Sequence, residues 1–166
     1  MRFLRRFWRS FSRSSPAPDA GSLCYVHPAG GVGRFVFEKR KLTKEGMPKP
    51  HVFEQERHPE QGHRETSVCG MNGVAITRVW QLGTIIRHPM QAIAAVEVPV
   101  SGVTRIGLQC LPAPMTEYDE HGAIIGWADD KAKRVSDQQE LVAAHTAVHR
   151  PPSLAPAASV DTGVED

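Results

Sequence analysis

Short apolar runs separated by turn residues recur along the chain, and most have the length of β-strands. Strands are predicted at 35–37, 51–53, 66–69, 92–100, 104–111 and 123–127. In 104–111 the alternation puts Ile106, Leu108 and Cys110 on one face. Pro99 cannot donate to a β-ladder, so 92–100 is expected near a sheet edge.

Two segments follow helical spacing instead. The first runs from Asn72, a good N-cap residue, to a closing Gly83. The second covers 129–150, with Asp129 and Asp130 in its first turn and His145, His149 and Arg150 at its end. The sequence therefore predicts an α+β fold: a small, mostly antiparallel sheet with one short internal helix and a longer C-terminal helix.

The chain divides into three parts by composition. Residues 1–22 form a basic arm and linker that we expect to be flexible, 23–150 form a single α+β domain, and 151–166 form an acidic Pro/Ala-rich tail expected to be disordered. A length of 166 residues suits one domain with such ends.

Charge is unevenly distributed despite a formal total of +2. Residues 1–20 carry +4, residues 150–166 carry −2, and residues 21–149 balance to zero. A neutral domain is not typical of nucleic-acid binders, so only the N-terminal arm is predicted to make such contacts. Its cationic residues are Arg2, Arg5, Arg6, Arg9 and Arg13.

The arm also has a helical apolar spacing at Phe3, Phe7 and Phe11. Membrane-surface contact, nucleic-acid contact, a transit peptide and a disordered start all remain open for it. The sequence lacks a run of about 20 apolar residues that would span a bilayer.

The three cysteines, Cys24, Cys69 and Cys110, form no CxxC pair, so neither a disulfide framework nor a thiolate zinc site is indicated. We expect a soluble cytoplasmic protein without a cofactor. Metal binding by His58, His63, Cys69 and His121 is not predicted, because their spacing matches no common site.

Two further motifs are weak. The glycines of HPAGGVGRF precede a strand and lack GK[ST], so a phosphate-binding loop is not indicated. An extended 65–69 would place Glu65, Ser67 and Cys69 on one face, where His63 or His121 could activate Ser67 or Cys69. No GxSxG motif supports such catalysis.

A broader group of embedded polar residues carries the main hypothesis. If the fold gathers them, Arg34, Lys49 and Arg78 would hold an anion. Ser67 would donate a hydrogen bond, with Glu65 beside it, and His121 would transfer protons. The alternative is that these are solvent-facing residues or ion pairs such as Glu65 with Arg78.

The same residues carry a resemblance. The segments Arg34-Phe35-Val36, Lys49-Pro50, Glu65-Thr66-Ser67-Val68, Val79-Trp80-Gln81-Leu82-Gly83 and His121 with Ile124-Ile125-Gly126-Trp127 resemble a family of small uncharacterised bacterial proteins over about 33–134. The resemblance implies a domain boundary and no chemistry. Gly70 stands where such sequences often have an arginine.

Three functions follow as hypotheses. The first is a binding or accessory domain for an anionic, phosphate-like ligand or a protein partner. The second is a hydrolase or phosphoryl-transfer enzyme with His121 as general acid or base. The third is nucleic-acid or membrane-surface contact through the arm.

Overall fold

The computed structural model describes residues 25–58, 61–87 and 89–152. The predicted arm and nearly all of the tail lie outside them. The strands are β1 (Gly31–Val36), β2 (Glu56–Arg57), β3 (Arg64–Gly70), β4 (Ala94–Pro99), β5 (Gln109–Pro112), β6 (His121–Ile125) and β7 (Ala147–His149). The α-helices are α1 (Ile76–Ile85), α2 (Val100–Arg105) and α3 (Lys131–Ala144).

The strands form one antiparallel sheet in the order β5-β6-β3-β1-β4-β7, with β2 paired to β3 outside this path. Each neighbour is thus joined by an antiparallel ladder, which confirms the predicted α+β class. The C-terminal helix is also confirmed, at α3.

One face of the sheet carries the larger core. Val32 and Val36 of β1 lie on it with Ile124, because alternate strand residues share a face. Leu141 of α3 and Phe53 pack against them, and both side chains are fully buried. Burying a side chain of this size stabilises the fold by about 2–3 kcal/mol relative to exposure.

The opposite face is covered by α1. Val79 and Leu82 of this helix pack in a second cluster with Phe35, Cys69 and Ala95 of the sheet. The sheet is therefore a middle layer, and its residues alternate between two apolar environments.

The segment 51–53 is not a strand, contrary to the prediction. It belongs to a 3-10 turn, Pro50–Phe53, that starts with a proline and buries Val52 and Phe53. Two adjacent apolar residues suit either conformation, and Pro50 has the φ angle of a helical first residue.

The segment 104–111 is a strand only in its second half. The helix α2 ends at Arg105, the chain reverses at Gly107 with φ +85°, and β5 begins at Gln109. The strand β4 is also not at an edge, since it lies between β1 and β7. Pro99 is tolerated because the β7 ladder covers only residues 95–97 of β4.

The helical boundaries differ from those predicted. Asp130 is the N-cap of α3, and its side chain accepts a hydrogen bond from the Lys133 amide. The helix ends at Ala144, so His149 lies in β7 and does not share a helix face with His145. The helix α1 starts after Ala75 rather than Asn72, and Gly83 lies inside it.

Candidate functional site

The predicted polar row exists on β3. Glu65, Ser67 and Cys69 lie on one face of the strand, and His121 of β6 stands directly opposite Cys69 in the register. Glu65 and His121 are both buried, while Ser67 is half-buried. The register therefore places His121 on the same face of the sheet as Glu65 and Ser67, which lie more than fifty residues earlier in the chain.

Cys69 is unsuited to nucleophilic attack in this setting. Its side chain is fully buried and lies 3.4 Å from the carbonyl oxygen of Gly70. Burial raises the pKa of Cys69 to about 12. The thiolate is the reactive form, so the thiol is inert near neutral pH.

His121 is held by backbone and aromatic contacts. Its Nδ1 lies 2.6 Å from the carbonyl oxygen of Ala113, and its ring meets the ring of Tyr118 edge-on at 5.1 Å. Burial lowers the pKa of His121, and the hydrogen bond to Ala113 opposes this only partly. The neutral imidazole therefore donates from Nδ1 and connects β6 to the segment before it.

We expect this histidine to make the fold sensitive to mild acid. Because its pKa is lower in the folded state, the unfolded chain takes up the proton first, and stability is lost as the pH falls below about 6.5. Replacing His121 with Asn should flatten the decline by at most about 1.4 kcal/mol per pH unit. Urea unfolding at pH 7.5, 6.5 and 5.5 measures this.

The exposed His27 provides a control for that experiment. The His27→Asn variant retains His121 and should keep the wild-type slope. A His121→Asn variant with an unchanged slope between pH 7.5 and 5.5 would contradict the structural role of the neutral ring.

The side chain of Arg34 makes hydrogen bonds within the fold. Its Nη1 donates to the carbonyl oxygen of Ser67 at 2.7 Å, and its Nε donates to that of Val52 at 3.3 Å. The β1–β3 ladder covers the pairs Val32–Gly70 and Gly33–Cys69 and does not extend to Ser67, so the carbonyl oxygen of Ser67 accepts from this side chain instead. Burial lowers the pKa of Arg34, with the Glu56 carboxylate acting in the opposite direction.

Arg78 pairs with Glu120 rather than with Glu65. The guanidinium makes two contacts, Nε to Oε1 at 2.8 Å and an Nη to Oε2 at 3.3 Å. Burial is the largest influence and would raise the pKa of Glu120, but the hydrogen bond and charge of Arg78 together with a backbone hydrogen bond outweigh it, and the pKa is lowered. Glu65 lies 3.3 Å from Nε2 of His63.

The histidines of the polar loop do not assemble a metal site. His58 and His63 stack with ring centroids 5.3 Å apart. Within residues 25–58, 61–87 and 89–152, no group of three or more His, Cys, Asp or Glu side chains is placed to hold a metal ion.

Lys49 lies elsewhere, in an open groove of about 590 Å³ that we call the cationic groove. Leu42 and Ile93 are its apolar lining residues, Thr43 and Gly46 complete it, and no carboxylate belongs to this lining set. Five of the nine lining residues are cationic: Lys39, Arg40, Lys44, Lys49 and Arg150.

A hairpin-like loop builds most of the groove. The Thr43 and Met47 backbones are joined by a 2.8 Å hydrogen bond, and the Met47 amide also donates to Thr43 Oγ1 at 3.2 Å. Gly46 turns the chain with φ +85°, a conformation that favours glycine. The carbonyl of Gly46 accepts from Arg150 Nη2 at 2.9 Å, which fixes the far wall of the groove.

The cations retain donors for a ligand. Nζ of Lys49 donates to the Arg40 carbonyl oxygen at 3.1 Å, which uses one of its three N–H groups. Nε of Arg40 donates to Glu38 at 2.6 Å, and the Nη groups of Arg40 can still donate to a ligand. The side chains of Lys39 and Lys44 are exposed to solvent.

Of the predicted ligand-binding residues, then, Lys49 lines the groove, whereas Arg34 and Arg78 have partners near the polar row. The other groove cations were not predicted, although the sequence contains the signal. Residues 39–49 carry five cations, Lys41 among them, against the single acid Glu45. The net charge of residues 21–149 is zero, so this local excess of positive charge does not appear in the sum.

The catalytic role of Glu65, Ser67 and His121 stays a prediction. Comparison with models of protein families, with curated proteins and with solved structures gave no match, so the resemblance to small bacterial proteins also remains an expectation. In the described part of the chain, no helix is both long and apolar enough to cross a membrane.

Proposed function

We propose that this protein is a binding domain for phosphate-like anions and that the cationic groove is its binding site. One observation carries the proposal: five cationic residues line a single groove, and none of its described lining residues is acidic, although Glu38 and Glu45 contact Arg40 and Thr43 at its border. Like charges gathered at one surface repel one another, and an anion relieves that repulsion. Arg40 is paired with Glu38, but among the described residues Lys39, Lys44, Lys49 and Arg150 form no ion pair, so an excess of positive charge remains at the groove.

The chemistry of the lining suits phosphate oxygens. Arg150 already donates from its two Nη atoms to the carbonyl oxygens of Gly46 and Ile93, so it offers its charge and its remaining N–H groups, while Lys44 and Lys49 act as point charges. The groove is open to solvent, so the binding should be moderate in affinity and sensitive to salt. Exposed charges are screened over about 10 Å at 0.1 M ionic strength.

Titration calorimetry with inorganic pyrophosphate at low ionic strength tests the proposal. We expect saturable binding by the full chain, reduced about tenfold in the double variant Lys44→Ala/Lys49→Ala, since exposed ion pairs contribute up to about 1 kcal/mol each. A rise from 20 to 200 mM salt should weaken the binding further.

Two controls separate the groove from charge in general. Replacing the exposed Lys131 and Arg105 with Ala removes the same charge outside the groove and should leave the affinity nearly unchanged. Replacing Arg5, Arg6 and Arg9 with Gln tests the arm. An equal loss in the Lys131/Arg105 variant, or a loss confined to the arm variant, would contradict the groove as the site.

A further inference from the structure

The apolar part of the groove restricts which anions suit it. Leu42 is buried and Ile93 is half-buried, and both lie among the cations. None of the described residues that line the groove is aromatic, so these residues offer no surface on which nucleic-acid bases would stack. A ligand that combines carboxylates with small apolar side chains complements the groove better.

Such a ligand is present in the chain itself. The last seven residues, VDTGVED, contain Val160 and Val164 next to the acids Asp161, Glu165 and Asp166. The last residues that the structure describes, Pro151 and Pro152, directly follow Arg150, which lines the groove. The acidic segment is therefore attached to the rim of a cationic surface.

We propose that residues 153–166 bind the cationic groove as an acidic peptide and compete there with other anions. This proposal rests on the groove being the anion site. Asp161 lies eleven residues after Arg150 in the chain, which allows a reach of up to roughly 36 Å at 3.3 Å per residue. A tether of this length gives an effective concentration in the millimolar range, so weak contacts suffice.

The decisive comparison uses full-length protein with the tail acids neutralised, as Asp161→Asn/Glu165→Gln/Asp166→Asn. Amide chemical shifts of this variant and the wild type are compared by NMR at low salt. Differences should appear at residues 39–49, 93 and 150 and should fade at 200 mM salt. Differences confined to the tail residues would overturn the proposal.

Pyrophosphate titration provides the second measurement. The tail-neutralised variant should bind pyrophosphate about three- to tenfold more tightly than the wild type, because a tethered competitor is weakened. The matched control, Asp119→Asn/Asp129→Asn/Glu140→Gln, removes three exposed carboxylates outside the groove lining and should bind like the wild type. Equal affinities in all three proteins would refute the competition.

The proposed anion-binding function and the proposed contact of the tail with the groove can be refuted separately. If pyrophosphate shifts no groove amide even in the tail-neutralised variant, the proposed function fails, while the comparison without added ligand still decides the tail contact. Groove shifts that grow with protein concentration would assign the contact to the tail of a second copy, which would overturn the intramolecular proposal.

Discussion

Replacing Arg34 with Met should lower the free energy of unfolding by about 2–3 kcal/mol, since hydrogen bonds from charged groups are each worth about 1.5–3 kcal/mol. The substitution keeps much of the side-chain volume but removes both donors to the carbonyl oxygens of Ser67 and Val52. The end of the β1–β3 ladder would then have an unpaired carbonyl on β3 and a looser attachment of the turn at 50–53. Urea unfolding at neutral pH measures the change.

Arg105→Met is the matched control, because Arg105 is an exposed arginine at the end of α2. It should change stability by less than about 0.5 kcal/mol. The pair of variants also separates two roles of Arg34. A normal free energy of unfolding in Arg34→Met, combined with lost pyrophosphate binding, would return Arg34 to the ligand-binding role predicted from the sequence.

Replacing Gly70 with Ala should destabilise the fold by about 3 kcal/mol, at the upper end of overpacking costs. A Cβ atom at this position would lie 2.5 Å from the backbone carbon and oxygen of Tyr25. Neither partner is the end of a flexible side chain, so the segment around Tyr25 would have to move. That movement would disturb the hydrogen bond from the Asn72 amide to the Tyr25 carbonyl, at 3.2 Å.

Gly33→Ala tests whether the cost is specific to Gly70. Gly33 lies in the neighbouring strand, and the nearest atom to a Cβ there is the Sδ of Met71, at 3.0 Å. A methionine side chain can adjust, so this variant should cost about 1 kcal/mol. Similar melting temperatures for the two variants would show that the Tyr25 contact is not rigid.

The pattern of apolar and polar residues predicted the layers of the fold better than the ends of its helices and strands. The strand at β3 and the helix at α3 follow from their residues, because both combine a clear period with suitable ends. The failures lie where a short apolar run fits two conformations, as at 51–53, or where a helix and a strand adjoin, as around Gly107. At those positions the conformation depends on contacts with residues that are distant in the sequence.

The candidate site was predictable in part for a similar reason. The sequence predicts Lys49 as a ligand-binding residue and the structure places it in the cationic groove, while the local charge of 39–49 also points to Lys39, Arg40 and Lys44. Arg150 could not be found in this way, because it joins the groove through a contact with Gly46 across more than 100 residues of chain. The partners of Arg34 and Arg78 likewise depend on tertiary placement.

The two outer strands of the sheet have a consequence for assembly in concentrated solution. β7 is three residues long and is followed by Pro151 and Pro152, and β5 is four residues long and ends at Pro112. Proline offers no amide to an incoming strand, and such short borders present few unpaired backbone groups. Short borders of this kind disfavour edge-to-edge pairing of two such sheets.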